Sequence, residues 1–273
     1  MNGVADYEFV HLLGEGSHGS FWLARCPARL GRADPYVAVK TFAHRADEGD
    51  FQRLVAELQR YAAVGSPQLA QLYDVGLQSD TLYYAGQYFP DGSLAQPARP
   101  FTRASVLAAI TDAALAAHAL HEAGIAHRSI KPGNVYIDGD RAKLGDIGLI
   151  QVLNPGQTIT GLDHIGSIEY LAPELIQGQP ASRATDVWAL AATMHRVLTA
   201  RSVYPDIPQG SLLQALRYLV SERPVLNDRL RDEERAVIEQ ALAVDPASRP
   251  ATALEFAQIV GAIAQRLAQA EPA

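Results

Sequence analysis

Residues 127–134 read His-Arg-Ser-Ile-Lys-Pro-Gly-Asn, and this stretch decides how the chain is interpreted. It follows residues 103–123, where Ala and Leu place apolar side chains at helical spacing and predict a buried helix. It precedes two short alternating stretches, 135–137 and 142–144, which predict a β-hairpin that turns at 138–140. We therefore expect a loop that leads from the end of a core helix into a hairpin and carries polar side chains.

Other motifs lie on both sides of this loop in a definite order. A glycine-rich segment between two predicted strands comes first, and its glycines would let backbone amides approach a phosphate. A strand that ends in a lysine and an amphipathic helix with a glutamate follow it, and further motifs come after the loop. In chain order the motifs are Gly14-Glu15-Gly16-Ser17-His18-Gly19, Val37-Ala38-Val39-Lys40, Glu57, Asp146-Ile147-Gly148, Ala172-Pro173-Glu174, Asp186-Val187-Trp188 and Arg249.

Taken together, these motifs resemble those of the bacterial eukaryotic-like (Hanks-type) Ser/Thr protein kinases, and they cover nearly the whole chain. The resemblance implies an α+β, bilobal protein-kinase fold with a small, mostly β N-lobe that has one helix and a larger, mostly α C-lobe. The implied boundaries are 1–86 for the N-lobe, 87–92 for the hinge, 93–267 for the C-lobe, and 268–273 for a tail or the start of a linker. It also implies that Glu174 pairs with Arg249.

The resemblance further implies which residues would bind ATP and Mg²⁺. In the family, a glycine-rich loop covers the phosphates, a lysine pairs with phosphate and with a helix glutamate, and an asparagine and an aspartate hold magnesium. The nucleotide-binding candidates are Gly14, Gly16, Gly19, Phe21, Ala38, Lys40, Glu57, Gly86, Gln87, Tyr88 and Tyr136. The magnesium candidates are Asn134 and Asp146.

The catalytic loop departs from the family at its central residue. The family pattern is His-Arg-Asp-Leu-x-x-x-Asn, in which the aspartate accepts the proton of the substrate hydroxyl. Here Ser129 stands at the place of that aspartate, and Lys131 follows it. A serine hydroxyl does not take up a proton at neutral pH as a carboxylate does, and loss of a positioned general base typically costs about 10²–10⁴ in rate. Ser129 and Lys131 are the catalytic-loop candidates, and efficient catalysis is not expected.

Further departures fall on residues that the resemblance places around the nucleotide. Phe21 replaces a valine that covers the adenine, Tyr136 replaces an aliphatic residue under it, and Gly86 replaces a residue that is commonly larger. One interpretation is that Phe21 turns into the space vacated at Gly86 and fills the adenine slot. The other is that Phe21 and Tyr136 stack on the two faces of the adenine. The sequence leaves both interpretations open.

The composition fits a soluble intracellular domain. The chain has 273 residues, 48% of them apolar, and a single cysteine, Cys26, which excludes an internal disulfide and suits a reducing compartment. The net charge of −7 argues against a nucleic-acid partner. No run of 18 or more apolar residues is present, so no membrane segment is predicted in this chain. We expect a cytoplasmic protein, or the cytoplasmic domain of a membrane-anchored one.

Arg128 and the segment that follows Asp146 indicate that phosphorylation could regulate the domain. In the family this arginine can pair with a phosphorylated activation segment, and Thr158, Thr160 and Ser167 are candidate acceptors. A phosphate there carries nearly two negative charges and could order the segment against the arginine. The expected partner is therefore another protein, which would be a partner kinase, a substrate or an effector.

Two functional hypotheses follow from different classes. The first is a pseudokinase, a regulatory or scaffold module of the kinase fold, with ATP binding left open. The second is a slow or atypical ATP-dependent Ser/Thr kinase, or another transferase, that uses Lys40, Asn134 and Asp146. A third interpretation is that Ser129 was introduced to trap an inactive form. One engineered change would not explain the departures around the nucleotide.

Overall fold

The structure is a computed structural model, and it describes residues 3–16, 19–148 and 165–270. The described chain divides into two compact units. The first consists of residues 3–16, 19–65 and 70–88, and the second of residues 66–69, 89–148 and 165–270.

The described part of the first unit is an antiparallel sheet of six strands with one α-helix. Neighbouring strands follow the order β1-β2-β3-β4-β6-β5. The elements are β1 Gly3–Val4, β2 Tyr7–Gly16, β3 Gly19–Arg25, β4 Tyr36–Arg45, α1 Glu48–Ala63, β5 Leu72–Gln78 and β6 Thr81–Gly86. The strands that were expected to flank the glycine-rich loop, and the lysine strand after them, are confirmed as β2, β3 and β4.

Alternation along the strands separates two faces of this sheet, because successive side chains of a strand point to opposite sides. On one face, buried apolar side chains form a hydrophobic core that includes two residues near the N-terminus. Its members are Val4, Tyr7, Ala24, Val37, Val39, Tyr83 and Ala85. The other face includes Lys40, which comes directly after Val39.

Helix α1 begins with a capping box. The Asp47 carboxylate accepts a hydrogen bond from the Asp50 backbone N–H at 2.9 Å, and the Asp50 carboxylate accepts one from the Asp47 N–H at 3.1 Å. The buried side chains of α1 include Leu54, Leu58 and Glu57. The buried face of this helix is therefore mostly apolar but also contains a glutamate.

The described part of the second unit is mostly helical. Helix α2 is its central helix and makes its most extensive contacts with α7. The helices are α2 Arg103–Glu122, α3 Pro173–Ile176, α4 Arg183–Thr199, α5 Leu212–Ser221, α6 Asp232–Ala241 and α7 Ala253–Ala270, and the short strands are β7 Gly92–Ser93, β8 Gln96–Pro97, β9 Val135–Asp138 and β10 Arg141–Leu144. The buried helix expected over 103–123 and the hairpin expected after it are confirmed as α2 and β9–β10.

The hairpin is fastened to α2 by a buried carboxylate. Asp112 in α2 accepts hydrogen bonds from the Arg141 guanidinium at 2.5 and 3.0 Å and from the Ala142 backbone N–H at 3.0 Å. Because Asn134 directly precedes β9 and Asp146 follows β10 closely, this attachment fixes the backbone near both residues. The α+β architecture, with a mostly β first unit and a mostly helical second unit, is confirmed.

The lobe boundaries stay a prediction, but the compact units divide the chain differently at residues 66–69, which lie inside the predicted N-lobe. They group with the second unit because the Leu144 backbone N–H donates to the Gln68 carbonyl at 2.8 Å and Leu69 forms a parallel bridge with Leu144. A long-range backbone pairing of this kind leaves no local pattern in the sequence.

Helix α2 is long and apolar enough to meet the length and hydropathy of a membrane span. Most of its most apolar stretch is buried within the second unit, and the core helix of a folded domain meets the same criteria. The helix is weak evidence for a span.

Candidate active site

The catalytic loop is anchored by one buried carboxylate, Asp186, at the start of α4. Its Oδ2 atom accepts hydrogen bonds from the His127 backbone N–H at 2.7 Å and from His121 Nε2 at 2.8 Å. Its Oδ1 atom accepts one from the Arg128 backbone N–H at 2.9 Å. A carboxylate that binds successive backbone amides holds the loop in one conformation, because breaking these bonds would leave a charge buried without partners.

His127 is a neutral core residue, with 0% of its surface exposed. Its Nδ1 atom accepts a hydrogen bond from the Ser129 backbone N–H at 3.3 Å, and its Nε2 atom lies 3.1 Å from the Gly145 carbonyl oxygen and donates to it. Burial lowers the pKa of His127 to about 4, since a charged imidazole is disfavoured away from water. Protonation would also put two N–H groups, of Nδ1 and of Ser129, face to face.

This low pKa predicts that the stability of the domain falls as the pH falls from about 6.5 to about 4. In that window the unfolded chain binds a proton at His127 and the folded chain does not, so the folded state is favoured at the upper end. The contribution is at most about 1.4 kcal/mol per pH unit. Urea unfolding between pH 7 and pH 4.5 should show a shallower pH dependence for His127→Gln than for the wild type, and equal slopes would contradict this prediction.

Ser129 is bound to the asparagine that was proposed as a magnesium ligand. Asn134 Nδ2 donates to the Ser129 hydroxyl oxygen at 2.9 Å and to the Ser129 carbonyl oxygen at 2.7 Å, with a longer contact of 3.4 Å to the Asp146 carbonyl oxygen. The amide nitrogen is thus committed to the loop, and Oδ1 is the atom of Asn134 that can ligate a cation. The arrangement joins Ser129, Asn134 and Asp146 in one cluster within the second unit.

Arg128 and Asp146 both have backbone conformations that are rare for residues with a side chain. Their φ angles are +68° and +53°. Such conformations cost about 1–3 kcal/mol each and persist where the surroundings impose them, commonly at functional sites. Here the surroundings include the Gly148 backbone N–H, which donates to the His127 carbonyl at 2.8 Å, and a Cβ at position 148 would lie 2.8 Å from the Cβ of Arg128. The glycine of Asp146-Ile147-Gly148 is therefore required by close packing.

Lys131 connects the cluster with Ser167, which lies near the end of the activation segment. Its Nζ atom donates to the Ser167 hydroxyl at 3.2 Å. Ser167 lies in the 3₁₀ turn Ile165–Tyr170. The second catalytic-loop candidate is thus in contact with one of the residues that the sequence offered as a phosphate acceptor.

Tyr136 stacks on Phe89 within the second unit. The ring centroids lie 4.9 Å apart and the planes are nearly parallel, at 5°. Phe89 is buried and Tyr136 is half-buried. One face of the Tyr136 ring is therefore covered by Phe89, a neighbour that sequence reasoning did not identify.

In the first unit, Lys40 is nearly buried, with 9% of its surface exposed, and lies among aromatic rings. Its Nζ atom is 5.0 Å from the ring centroid of Phe21 and 5.6 Å from that of Phe42. The rings of Phe21 and Tyr84 form an edge-to-face pair, with their centroids 6.3 Å apart. Phe21 is thus a neighbour of the lysine ammonium.

The space expected at Gly86 is absent, and that expectation was wrong. A Cβ at this position would lie 2.7 Å from the backbone carbonyl oxygen of Gln71, and this carbonyl also accepts a hydrogen bond from the Gln87 N–H at 2.9 Å. Glycine at position 86 lets the start of β5 approach β6, so there is no empty space at this position into which Phe21 could turn.

Two further nucleotide-binding candidates lie near Gly86 in the chain or in the sheet. Ala38 lies opposite Gly86 in the sheet, and Tyr88 is half-buried beyond the end of β6.

The glycines of the glycine-rich loop have different roles. Gly19 has a φ of +136°, and a Cβ there would collide with the Thr41 carbonyl, so glycine is required by the fold. A Cβ at Gly14 would meet nothing within 4 Å, although Gly14 lies opposite Phe21 in the sheet. Gly16 pairs with Gly19 at the end of the strands. Packing within the described residues does not explain glycine at position 14.

Glu57 is buried on α1, as expected for a partner of Lys40. The structure places its Oε2 atom 3.3 Å from Arg60 Nη1, one turn along the helix. The ion pair of Glu57 with Lys40 stays a prediction. Thr158, Thr160, Ser17 and His18 lie outside the described residues.

The predicted pair of Glu174 and Arg249 is confirmed. The Arg249 guanidinium donates to both Glu174 carboxylate oxygens, at 2.6 and 2.9 Å, and its side chain is fully buried. It also lies over the Trp188 ring, 5.0 Å from the centroid. This pair connects the end of the activation segment to the helical core of the second unit.

The family model of the protein kinase domain matches residues 7–260 of this chain. The chain belongs to the protein kinase family. Among curated relatives it is 30% identical over 263 residues to the serine/threonine-protein kinase PknK of Mycobacterium bovis, with 93% of this chain and 23% of the relative covered. It is also 30% identical to PknJ of Mycobacterium tuberculosis, with 94% and 45% covered, and to PknB of M. tuberculosis, with 92% and 41% covered.

The matches support the expected likeness to bacterial Hanks-type Ser/Thr protein kinases and confirm the protein-kinase fold. The chain spans less than half the length of each of these relatives.

Sequence reasoning missed Phe42 and Tyr84 as neighbours of the candidates Lys40 and Phe21 in the first unit, and Phe89 as the neighbour of Tyr136 in the second. For Phe42 a signal was present, because it lies two residues after Lys40 in a strand and so shares its face. Tyr84 and Phe89 meet Phe21 and Tyr136 only through pairing of residues distant in the chain, which a single sequence does not display.

Proposed function

We propose that this kinase domain is a pseudokinase, a regulatory or scaffold signalling module whose catalysis is impaired by Ser129. The observation that carries the proposal is the hydrogen bond from Asn134 Nδ2 to the Ser129 hydroxyl at 2.9 Å. At the place of the family's general base stands a neutral hydroxyl, which does not take up a proton at neutral pH. Loss of such a base corresponds to about 10²–10⁴ in rate.

We also propose that the domain still binds ATP with Mg²⁺. Lys40 in the first unit would pair with phosphate, and Asn134 Oδ1 and the Asp146 carboxylate in the second would hold the metal ion. The bound nucleotide would supply the transferable phosphoryl group, while the chain's own residues position it. The orientation of the Asn134 amide, the strained backbone at Asp146 and the unexplained glycine at position 14 support this fit.

A slow or atypical Ser/Thr kinase is the second candidate. The contact of Lys131 with Ser167 favours it, since it connects the catalytic loop to the segment that follows. The buried pair of Glu174 and Arg249 also favours it, since it anchors the end of that segment to the helical core. Phosphoryl transfer depends mainly on positioning and on stabilisation of charge, so a residual rate without the carboxylate is compatible with this geometry.

A thermal-shift titration tests the nucleotide part of the proposal. ATP with Mg²⁺ should raise the melting temperature of the domain, because a ligand that binds only the folded state stabilises it by RT ln(1 + [L]/Kd). The rise should be smaller without Mg²⁺, in Lys40→Met and in Asp146→Asn. No rise at millimolar ATP would contradict nucleotide binding and leave a scaffold that acts without ATP.

The proposed partner is another protein, which would be a partner kinase, a substrate or an effector. The net charge of −7 disfavours a nucleic-acid partner. The proposed location is the cytoplasm, either for the protein itself or for the cytoplasmic part of a membrane-anchored protein.

A further inference from the structure

The ammonium group of Lys40 lies near the rings of both Phe21 and Phe42. The distances from Nζ to the two ring centroids are 5.0 and 5.6 Å, within the range of about 6 Å in which a cation is attracted to an aromatic face. Phe42 is 5% exposed and Phe21 is half-buried, so the attraction is screened less than at an exposed site. We call Phe21, Phe42 and Tyr84 the aromatic enclosure of Lys40.

The sheet register builds this enclosure. Phe21 in β3 lies directly opposite Lys40 in β4, and Tyr84 in β6 lies opposite Lys40 on its other side. Phe42 follows Lys40 by two positions and therefore shares its face of the sheet. The Tyr84 ring lies 6.3 Å from the Phe21 ring and 6.1 Å from the Phe42 ring, so it contacts both residues that flank the ammonium.

We propose that Phe21 and Phe42 are positioning residues that hold the Lys40 ammonium in place for the oxygens of a phosphate group, with Tyr84 bracing both rings. The phosphate-binding part rests on the proposed nucleotide binding. A lysine has a flexible side chain, and it loses conformational entropy when it binds an anion. If the rings already restrain the side chain before binding, this entropic cost of binding is smaller. The ring faces attract the charge without replacing the three N–H donors, which stay suited to oxygen acceptors.

Core packing alone is the competing explanation for these phenylalanines. A leucine fills similar apolar volume but lacks an aromatic face, so the two explanations differ for Phe→Leu. Packing predicts a loss of stability that does not depend on residue 40. The enclosure predicts a loss that depends on the ammonium and is reversed by another aromatic residue.

A double-mutant cycle without nucleotide tests the enclosure directly. The free energy of unfolding would be measured in urea for the wild type, Phe21→Leu, Lys40→Met and the double variant. We expect the effects of the single changes to be coupled by roughly 2- to 30-fold in the unfolding equilibrium constant. Phe9→Leu is the matched control, because the Phe9 ring stacks on Trp22 at 4.7 Å and packs against the core on the other face. Coupling of Phe21 with Lys40 no larger than that of Phe9 would overturn the enclosure.

Binding of tripolyphosphate and of ATP, followed by calorimetry, tests the positioning role. Phe21→Leu and Phe42→Leu should each raise the dissociation constant several-fold, and Phe21→Tyr should restore binding close to that of the wild type. Unchanged or tighter binding in both leucine variants would overturn positioning. If the wild type binds neither anion, proposed nucleotide binding and the positioning role fail, while the nucleotide-free cycle decides the enclosure separately.

Discussion

Ser129→Asp is expected to raise phosphoryl transfer by the domain about 10²–10⁴-fold, the range associated with a positioned general base. Asn134 Nδ2 already donates to the residue 129 side chain, and a carboxylate can accept the same hydrogen bond. The neighbouring chemistry is in place within the second unit, where Asp146 has its strained backbone and Lys131 contacts Ser167. Transfer of radiolabelled phosphate to the domain itself and to a generic basic protein would be measured.

The matched control is Ser129→Asn, which has nearly the shape of aspartate but accepts no proton. It should stay at the wild-type rate, and Ser129→Asp combined with Asp146→Asn should lose the gain. If Ser129→Asp binds ATP and yet transfers phosphate no faster than the wild type, the missing base does not limit catalysis. That outcome would contradict the proposed cause of the impairment.

Glu174→Gln is expected to lower the free energy of unfolding of the second unit by about 3–5 kcal/mol. The Arg249 side chain is 0% exposed, and its guanidinium would be left without its counter-ion. Its other hydrogen bonds, to the carbonyl oxygens of Ala184 and Ala243 at 2.9 and 2.8 Å, would keep it buried. Urea unfolding followed by circular dichroism and tryptophan fluorescence would measure the loss.

Glu233→Gln is the matched control for this change. Glu233 pairs with Arg266 at 2.7 Å, but their side chains are 61% and 56% exposed. Exposed pairs contribute about 0–1 kcal/mol, so this variant should lie close to the wild type. Equal losses for the two glutamates would contradict the importance of burial at Arg249.

Much of the candidate site was predictable because it consists of short motifs. Asn134, Asp146 and Lys131 were proposed from the residues of the loop and its surroundings, and their roles stay predictions. The pair of Glu174 with Arg249 was proposed from two such motifs and is confirmed. The structure brings Ser129, Asn134 and Asp146 together through one amide group. The hydrogen bond between Ser129 and Asn134 was not predicted, because the spacing of the residues does not determine the orientation of the Asn134 side-chain amide.

The error at Gly86 has a specific physical cause. The absence of a side chain was interpreted as empty space, whereas the Gln71 carbonyl oxygen lies only 2.7 Å from where a Cβ would be. Protein interiors are close-packed, so a small residue is commonly matched by the close approach of a neighbour. Which neighbour approaches depends on the pairing of β5 with β6.

The sequence by itself determined the elements and the identities of the chemical groups: the helix before the loop, the hairpin after it, the lysine strand, and a serine where the family has an aspartate. These depend on local periodicity and on residue type. Only the tertiary structure decided that the Phe21 ring lies beside Lys40, that Tyr136 stacks on Phe89 and that residues 66–69 group with the second unit. Each of these depends on the register and packing of segments far apart in the chain, because side-chain contacts across strands are set by the whole fold and not by neighbours in sequence.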